Sequence, residues 1–445
     1  MSSRYDKRAV WSWALYDFAN SSFTTLVVTF IYATYFTKFI APPSEADAIG
    51  TALWSRGVTI TAIAVAVMSP FVGALADRGG FRKLFLMITT VVCVIGTVML
   101  YFPLPFESAA VGGAAMEALF WFVIANVFFE LGGVFYNAFL PDIAPPDRIG
   151  RISGYGWGLG YIGGLVCMFL ALFVFVQAEE PVFGLLTKEA GQHVRATNLL
   201  VAGWFAIFAL PLFFFVKEDR SKATQQKSRI FADTVSQLKR TFTEIRDYRQ
   251  VVRFLVARMI YNDGLVTVFA FGGIFAQGAF DFTTEDVLML GIVLNITAGI
   301  GALSMGYLDD KLGGKRTIQI TLIGLIAATL IAIVAPSRTW FWVAAIGIGI
   351  FVGPNQSASR SLLGRFVPPD KENEFYGFFA FSGKATAFLG PLLYGILVST
   401  FGTQQAGISA VLLMFVVGGL LLFTVDEKEG IAKAGRMPVD PSDAP

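Results

Sequence analysis

Gly73-Ala-Leu-Ala-Asp77-Arg78-Gly-Gly-Phe-Arg82-Lys83 decides the reading of this chain, because it returns in the second half as Gly306-Tyr-Leu-Asp-Asp310-Lys311-Leu-Gly-Gly-Lys315-Arg316. Each copy follows a long apolar segment and reads Gly, three residues, Asp, a base, three residues and two bases. A second pair behaves the same way. Pro145-Pro146-Asp147-Arg148, followed by Gly154, is matched by Pro368-Pro369-Asp370-Lys371, followed by Gly377. In each half the second motif comes two apolar segments after the first. The chain is a duplication, and its seam lies between Lys217 and Gln250.

The material between the motifs is membrane material. Over 445 residues the chain is 55% hydrophobic and 15% charged, with a mean hydropathy of +0.64, beyond the usual range of soluble domains. Continuous apolar runs of about 20 residues, enough to cross a hydrocarbon core, fall at 11–40, 52–76, 84–102, 117–140, 153–176, 198–216, 251–279, 286–308, 317–335, 339–363, 375–400 and 405–424. They are continuous rather than alternating, which excludes a β-barrel. The first run is too long for a cleavable leader and is expected to remain as a helix. The fold class is all-α integral membrane, with twelve transmembrane helices in two pseudo-symmetric six-helix bundles. The expected divisions are 1–216, a linker at 217–250, 251–424 and a disordered tail at 425–445.

Lys and Arg set the orientation. Both termini, the motif loops and the central segment from Lys217 to Arg253 collect most of the bases, whereas the other side holds Lys38, Arg56, Lys188, Arg195 and Arg338. Both termini are therefore expected in the cytoplasm, and a bacterial inner membrane is the simplest setting. The linker predicts an amphipathic helix from Arg229, with Ile230, Phe231, Val235, Leu238, Phe242 and Ile245 near one face. It suits the membrane surface, or alternatively regulation. Gly156, Gly160 and Gly164 form a small-residue stripe for close helix packing.

Twelve helices in two halves, a basic central loop and the duplicated Gly-x-x-x-Asp-Arg/Lys loop resemble the major facilitator superfamily. Trp13-Ala-Leu-Tyr16-Asp17-Phe-Ala-Asn20-Ser21-Ser-Phe and Ser382-Gly-Lys384-Ala-Thr-Ala-Phe-Leu-Gly390-Pro391 are similar to the vacuole-effluxer-like branch, whose fungal members export amino acids. The resemblance implies a secondary transporter with a cavity lined by the first, fourth, seventh and tenth helices. It also implies that Gly73, Asp77, Arg78, Gly306, Asp310 and Lys311 form a cytoplasmic gate.

Ionisable groups inside the membrane are costly and point to function by default. Asp17 lies about 13 Å along the axis from Arg8, and Glu130 about 20 Å from Glu117. With Asp263 they are the candidate proton-coupling carboxylates, since burial favours the neutral form of a carboxyl and a neighbouring base its charged form. Tyr16, Asn20, Asn126, Asn137, Arg258, Asn262, Asn355, Gln356 and Lys384 are the candidate substrate-binding residues. The bland alternative is a set of structural ion pairs, such as Glu130 with Arg258 or Asp263 with Lys384. Acids beside bases favour a zwitterionic or anionic, amino-acid-like solute moved by alternating access with protons. Multidrug or other metabolite efflux is the alternative, and a non-transporting receptor or scaffold is the alternative of another class.

Enzymatic classes find no foothold. There is no phosphate-cradling GxxxxGKS/T motif and no nucleophile motif, and Cys93 and Cys167 both lie inside apolar runs. The lone His193 sits in a polar loop, which leaves carboxylates as the proton carriers. No metal and no cofactor are expected. The expected partners are a small-molecule solute, protons or another coupling ion and membrane lipid, with no nucleic acid, and the chain is expected to work as a monomer.

Overall fold

The computed structural model describes residues 6–44, 47–108, 114–218, 248–369 and 371–435. The amphipathic segment expected after Arg229, the side chain of Arg78 and residues 436–445 lie outside the described residues. Twelve long helices form the body: α1 (Lys7–Ile40), α2 (Ala48–Gly79), α3 (Arg82–Met99), α4 (Ala114–Ala138), α5 (Ile149–Val176), α6 (Thr197–Phe215), α7 (Arg249–Phe280), α8 (Thr284–Leu312), α9 (Gly314–Val334), α10 (Arg338–Phe366), α11 (Glu372–Phe401) and α12 (Gln404–Phe423). Eleven of these are long and apolar enough to cross a membrane. The other, α10, has the length at 29 residues, but Asn355, Gln356, Arg360 and Arg365 dilute its apolar character. An even number of crossings puts both termini on one side, called here the terminal face.

Two expectations are corrected. The eleventh segment is not one helix but two, Glu372–Lys384 and Leu389–Phe401, separated by a turn at 385–388. The stretch after 425 is not wholly disordered, because Glu427–Lys433 forms a short helix, α13, started by the Asp426 side chain, which accepts from the Glu429 N–H. Glu427 docks it by accepting from Gly314 N (2.9 Å) and Lys315 N (3.0 Å) at the start of α9. Glu218 accepts from Lys83 N in the same way at the start of α3. Lys83 and Lys315 reach back to the Val216 and Val425 carbonyls. These contacts account for one closing base of each copy, the second in the first copy and the first in the second. Each ties the start of the third helix of its half to the end of the sixth.

The two halves meet where the two motifs meet. α2 packs on α11 and α5 on α8. A methyl group added to Gly73 would collide with the Asn373 carbonyl, and one added to Gly377 with that of Ser69. Across the pseudo-twofold axis, Gly306 faces the Arg151 backbone and Gly154 faces the Ala302 carbonyl. Small residues permit this approach, and the acids exploit it. Asp77 accepts from Asn373 N (3.0 Å), Asn373 Nδ2 (2.6 Å) and Glu374 N (2.7 Å) at the start of α11. Asp310 accepts from Gly150 N (2.8 Å) and Arg151 N (3.2 Å) at the start of α5 and pairs with the Arg151 guanidinium. The stripe Gly156, Gly160 and Gly164 lies on the other side of α5, against Asp17, Ser21 and Thr25 of α1.

Contact between α2 and α11 is concentrated at one end. Eight of the residues of Glu372–Lys384 are buried, whereas in Leu389–Phe401 only Gly390 and Tyr394 are. α2 shows the same gradient, with Ser69, Ala74 and Ala76 buried and most of 51–60 exposed. Along this seam the halves are closed at the terminal face and part toward the opposite face, while on the other seam Phe30 of α1 still meets Gly291 of α8. Gly377→Leu should force α2 from α11 at a cost of about 1–3 kcal/mol. The buried Ser69, replaced by cysteine as a probe, is then expected to react with a thiol reagent roughly ten- to a hundredfold faster; unchanged reactivity would show that the crossing tolerates a side chain.

Candidate functional site

Beneath the aspartate caps lies a second polar layer, built around a residue not singled out from the sequence. Arg360 of α10 is 3% exposed and crosses from its own half into the other. Its Nη1 donates to Asp17 Oδ2 on α1 (2.9 Å) and Asn137 Oδ1 on α4 (3.3 Å). Its Nε and Nη2 donate to the hydroxyl and carbonyl oxygens of Ser153 on α5. The guanidinium also lies over the rings of Trp13, Tyr136 and Trp157. Arg360 was legible only as one of the bases near the loop after the tenth segment, where it counted toward topology. What marks it as more is its place six residues inside the helix end, in a polar run that begins at Asn355.

The third layer sits deeper. Glu130 of α4 and Lys384, the last residue of the first piece of α11, pair at 2.7 Å across the two halves. Their side chains remain 25% and 30% exposed, because the parted halves leave them in the cleft. This pairing replaces both ion pairs suggested from the sequence. Arg258 finds no carboxylate among the described residues. Its Nη1 donates to the Phe379 carbonyl (2.8 Å) and Ser382 Oγ (2.7 Å), and its guanidinium stacks on the Phe379 ring. It pins α7 to α11 rather than answering an acid. Asp263 likewise turns from Lys384 and accepts from the Gly390 N–H at 3.0 Å.

The remaining candidates divide by where they face. Asn262 of α7 accepts from Gln356 Nε2 of α10 (3.3 Å) and points its amide at the Gly383 carbonyl beside Lys384. Those residues and Asn137 converge on the region between the halves. Asn20 is half-buried one turn beyond Asp17, and Asn126 is buried on α4 one turn from Glu130. Tyr16 and Asn355 do not converge. Tyr16 is buried against α3, its hydroxyl 2.6 Å from Thr90 Oγ1, and Asn355 donates to Thr321 of α9. Helical periodicity placed each on a polar helix but could not say which neighbour its face would meet. Among the described residues no group of His, Cys, Asp and Glu could hold a metal ion.

Known proteins share this architecture. The family model described as "Vacuole effluxer Atg22 like" matches residues 5–435. An uncharacterized MFS-type transporter, YxiO, of Bacillus subtilis is 26% identical over 96% of this chain and 97% of its own length. Autophagy-related protein 22-1 of Neosartorya fischeri is 24% identical over 63% of this chain, which spans about half, 48%, of that relative's length. Among solved structures, the proton:xylose symporter XylE superposes with a TM-score of 0.73 at 14% identity, covering 97% of this chain and 98% of that one. The transporter FucP in its outward conformation gives 0.69 at 14% identity, covering 94% and 98%. The duplicated loops, the twelve helices in two halves and the match over nearly the whole chain agree: this protein belongs to the vacuole effluxer Atg22-like family of major facilitator superfamily transporters.

Proposed function

We propose that this transporter moves a zwitterionic or anionic, amino-acid-like solute by alternating access, coupled to protons, across a bacterial inner membrane. The asymmetry of Lys and Arg supports a cytoplasmic terminal face, and on that reading the described state is open to the outside. The observation that carries the proposal is the Glu130–Lys384 pair. It lies within the membrane between the repeats, where such folds hold their substrates, and it presents a carboxylate and an ammonium to the cleft. A zwitterion can satisfy both, its carboxylate on Lys384 and its ammonium on Glu130. An anion can take Lys384 while Glu130 accepts a proton, and that exchange couples the two. The base at this point disfavours a lipophilic cation, the substrate class of the multidrug alternative.

The layer of Asp17 and Arg360 serves as the inner gate in this reading. With side-chain exposures of 14% and 4%, it closes the path from Lys384 to the terminal face. Opening that face requires Arg360 to leave Asp17, Asn137 and Ser153 together. Its cage of three aromatic rings holds the guanidinium in one place until then.

Two measurements bear on these roles. Thermal stability of the purified protein, screened against amino acids, organic anions and lipophilic cations at two pH values, should rise with a zwitterion or an anion. That rise should vanish in Glu130→Gln and in Lys384→Met, and stabilisation by lipophilic cations alone would sink the proposal. At the gate, Asp17→Ala leaves a buried guanidinium without its counter-charge, which typically costs about 3–5 kcal/mol. A fall in melting temperature is expected for that variant, with recovery when Arg360→Met is added; a double variant no more stable than the single would show that the pair is not the source of the loss.

A further inference from the structure

Asp263 stands in a different setting from the other membrane carboxyls. It lies about 21 Å along α7 from Arg249 and is 2% exposed. Oδ2 accepts the Gly390 N–H at the start of the second piece of α11, whereas Oδ1 is buried with no hydrogen-bond partner. Among the described residues no Lys or Arg lies within ion-pair reach of it. The nearby bases are engaged elsewhere, Arg258 by the Phe379 carbonyl and Ser382, and Lys384 by Glu130.

The packed neighbours supply no other charge. α12, which lies along α7, has no charged residue over 404–423, and neither does Leu389–Phe401. On α10 the polar groups at this level, Asn355 and Gln356, bond to Thr321 and Asn262, and Arg360 is held by Asp17. The acids and base of α8 lie at its two ends, at Glu285 and Asp286 and at Asp309 to Lys311. Arg249 and Arg253 sit at the terminal end of α7 itself.

We infer that Asp263 is a proton-binding site, carrying its proton on Oδ1 while α11 is closed on α7 and releasing it when Leu389–Phe401 swings away. A carboxylate buried in a membrane protein with one N–H donor and no counter-ion is costly, and the neutral acid removes that cost. A metal cation would require several oxygens around Oδ1; the structure brings Thr267 Oγ1 to the same side of Gly390, and among the described residues no group of three or more His, Cys, Asp and Glu could hold a metal ion. The site also has a mechanical connection. The turn at 385–388 separates Gly390 from Lys384, so the proton on α7 and the cross-half pair act on opposite ends of one break in α11. Thr386 ties that break to α7 through the Met259 carbonyl (3.2 Å). The use of the proton rests on the coupled-transport reading, while its binding does not.

Infrared difference spectra of the purified protein between acidic and alkaline pH test this directly. An acid carbonyl band that shifts in D2O is expected in the wild-type protein and in Glu130→Gln and Asp17→Asn, and its loss is expected in Asp263→Asn, whose remaining carbonyl can still accept from Gly390. Carbon-13 carboxyl labelling of aspartate in the unaltered protein should shift the same band, so the test does not depend on a variant folding. A band that ignores the label or survives in Asp263→Asn overturns the proposal. So does a sodium-dependent rise in melting temperature that Asp263→Asn abolishes while no acid band is seen. No arm uses a transported solute, so failure here would leave the role of Glu130 and Lys384 standing, and failure of that role would leave this site standing.

Discussion

An aspartate at the end of one helix, accepting from the exposed N–H groups that begin a helix in the other half, is the contact on which this closed face depends. It occurs twice, at Asp77 on α11 and at Asp310 on α5. A helix start offers unsatisfied donors and a partial positive charge, so a carboxylate is the natural counterpart. Hydrogen bonds to a charged group contribute about 1.5–3 kcal/mol each at most. A handful of them can hold two rigid bundles together and still be released by a ligand that binds the other arrangement better. Glycine sets the distance. Without Gly73 and Gly306 the caps could not reach, and without Gly154 and Gly377 the helices they cap could not cross.

The two sequence repeats are thus the two sides of one contact. Gly-x-x-x-Asp supplies the acceptor and the clearance, and Pro-Pro-Asp-base with its glycine starts the helix that is capped. Their recurrence was plain in the sequence because identical geometry demands identical residues at fixed spacing. That an Asp there would meet a helix start or a base was also within reach. Which helix it meets was not, since the partners are separated by hundreds of residues and no local pattern encodes the pairing. Arg360 was lost for a related reason. A base close to a helix end serves topology in most membrane proteins, and only the approach of Asp17, Asn137 and Ser153 from the other half gives it a second meaning. The break in α11 did leave a trace, because Pro391 has no N–H to offer the Ala387 carbonyl and suits the first turn of a new helix; Thr386 and Gly390 meet α7 at the same place.

The pseudo-symmetry is loose where charge is concerned. Position 76 is Ala, but its counterpart is Asp309, which is buried, paired with Arg365 at 2.7 Å and hydrogen-bonded to Ser361. Arg365 in turn lies 3.7 Å from Glu427 of α13. The second half therefore carries a chain of charges from α8 through α10 to the segment after α12. On the first half, Arg82 pairs with Asp142 of its own half at 2.5 Å and with Glu372 of α11, across the interface, at 3.3 Å. Both motifs cross the interface through Asp77 and Asp310, but the further charges differ: Asp309 and Arg365 stay within the second half, whereas Arg82 pairs both within its own half and with Glu372 across it. The two seams therefore have different partners to break.

Exposure separates the two cross-half ion pairs by role. Arg360 and Asp17 are nearly dry, and removing one partner from such a pair leaves a charge with nowhere to go, a cost of about 3–5 kcal/mol. The side chains of Glu130 and Lys384 keep 25% and 30% exposure, so their charges are less fully withdrawn from solvent than those of Arg360 and Asp17. On the function proposed above, a solute arriving from the opposite face would meet the more exposed pair first. It would not exchange with the drier pair, which is also caged by three rings. On the proposed function, the pair that would yield to a ligand lies toward the cleft, and the pair that would hold until the halves move lies beneath it, next to the glycine crossings that let those halves touch.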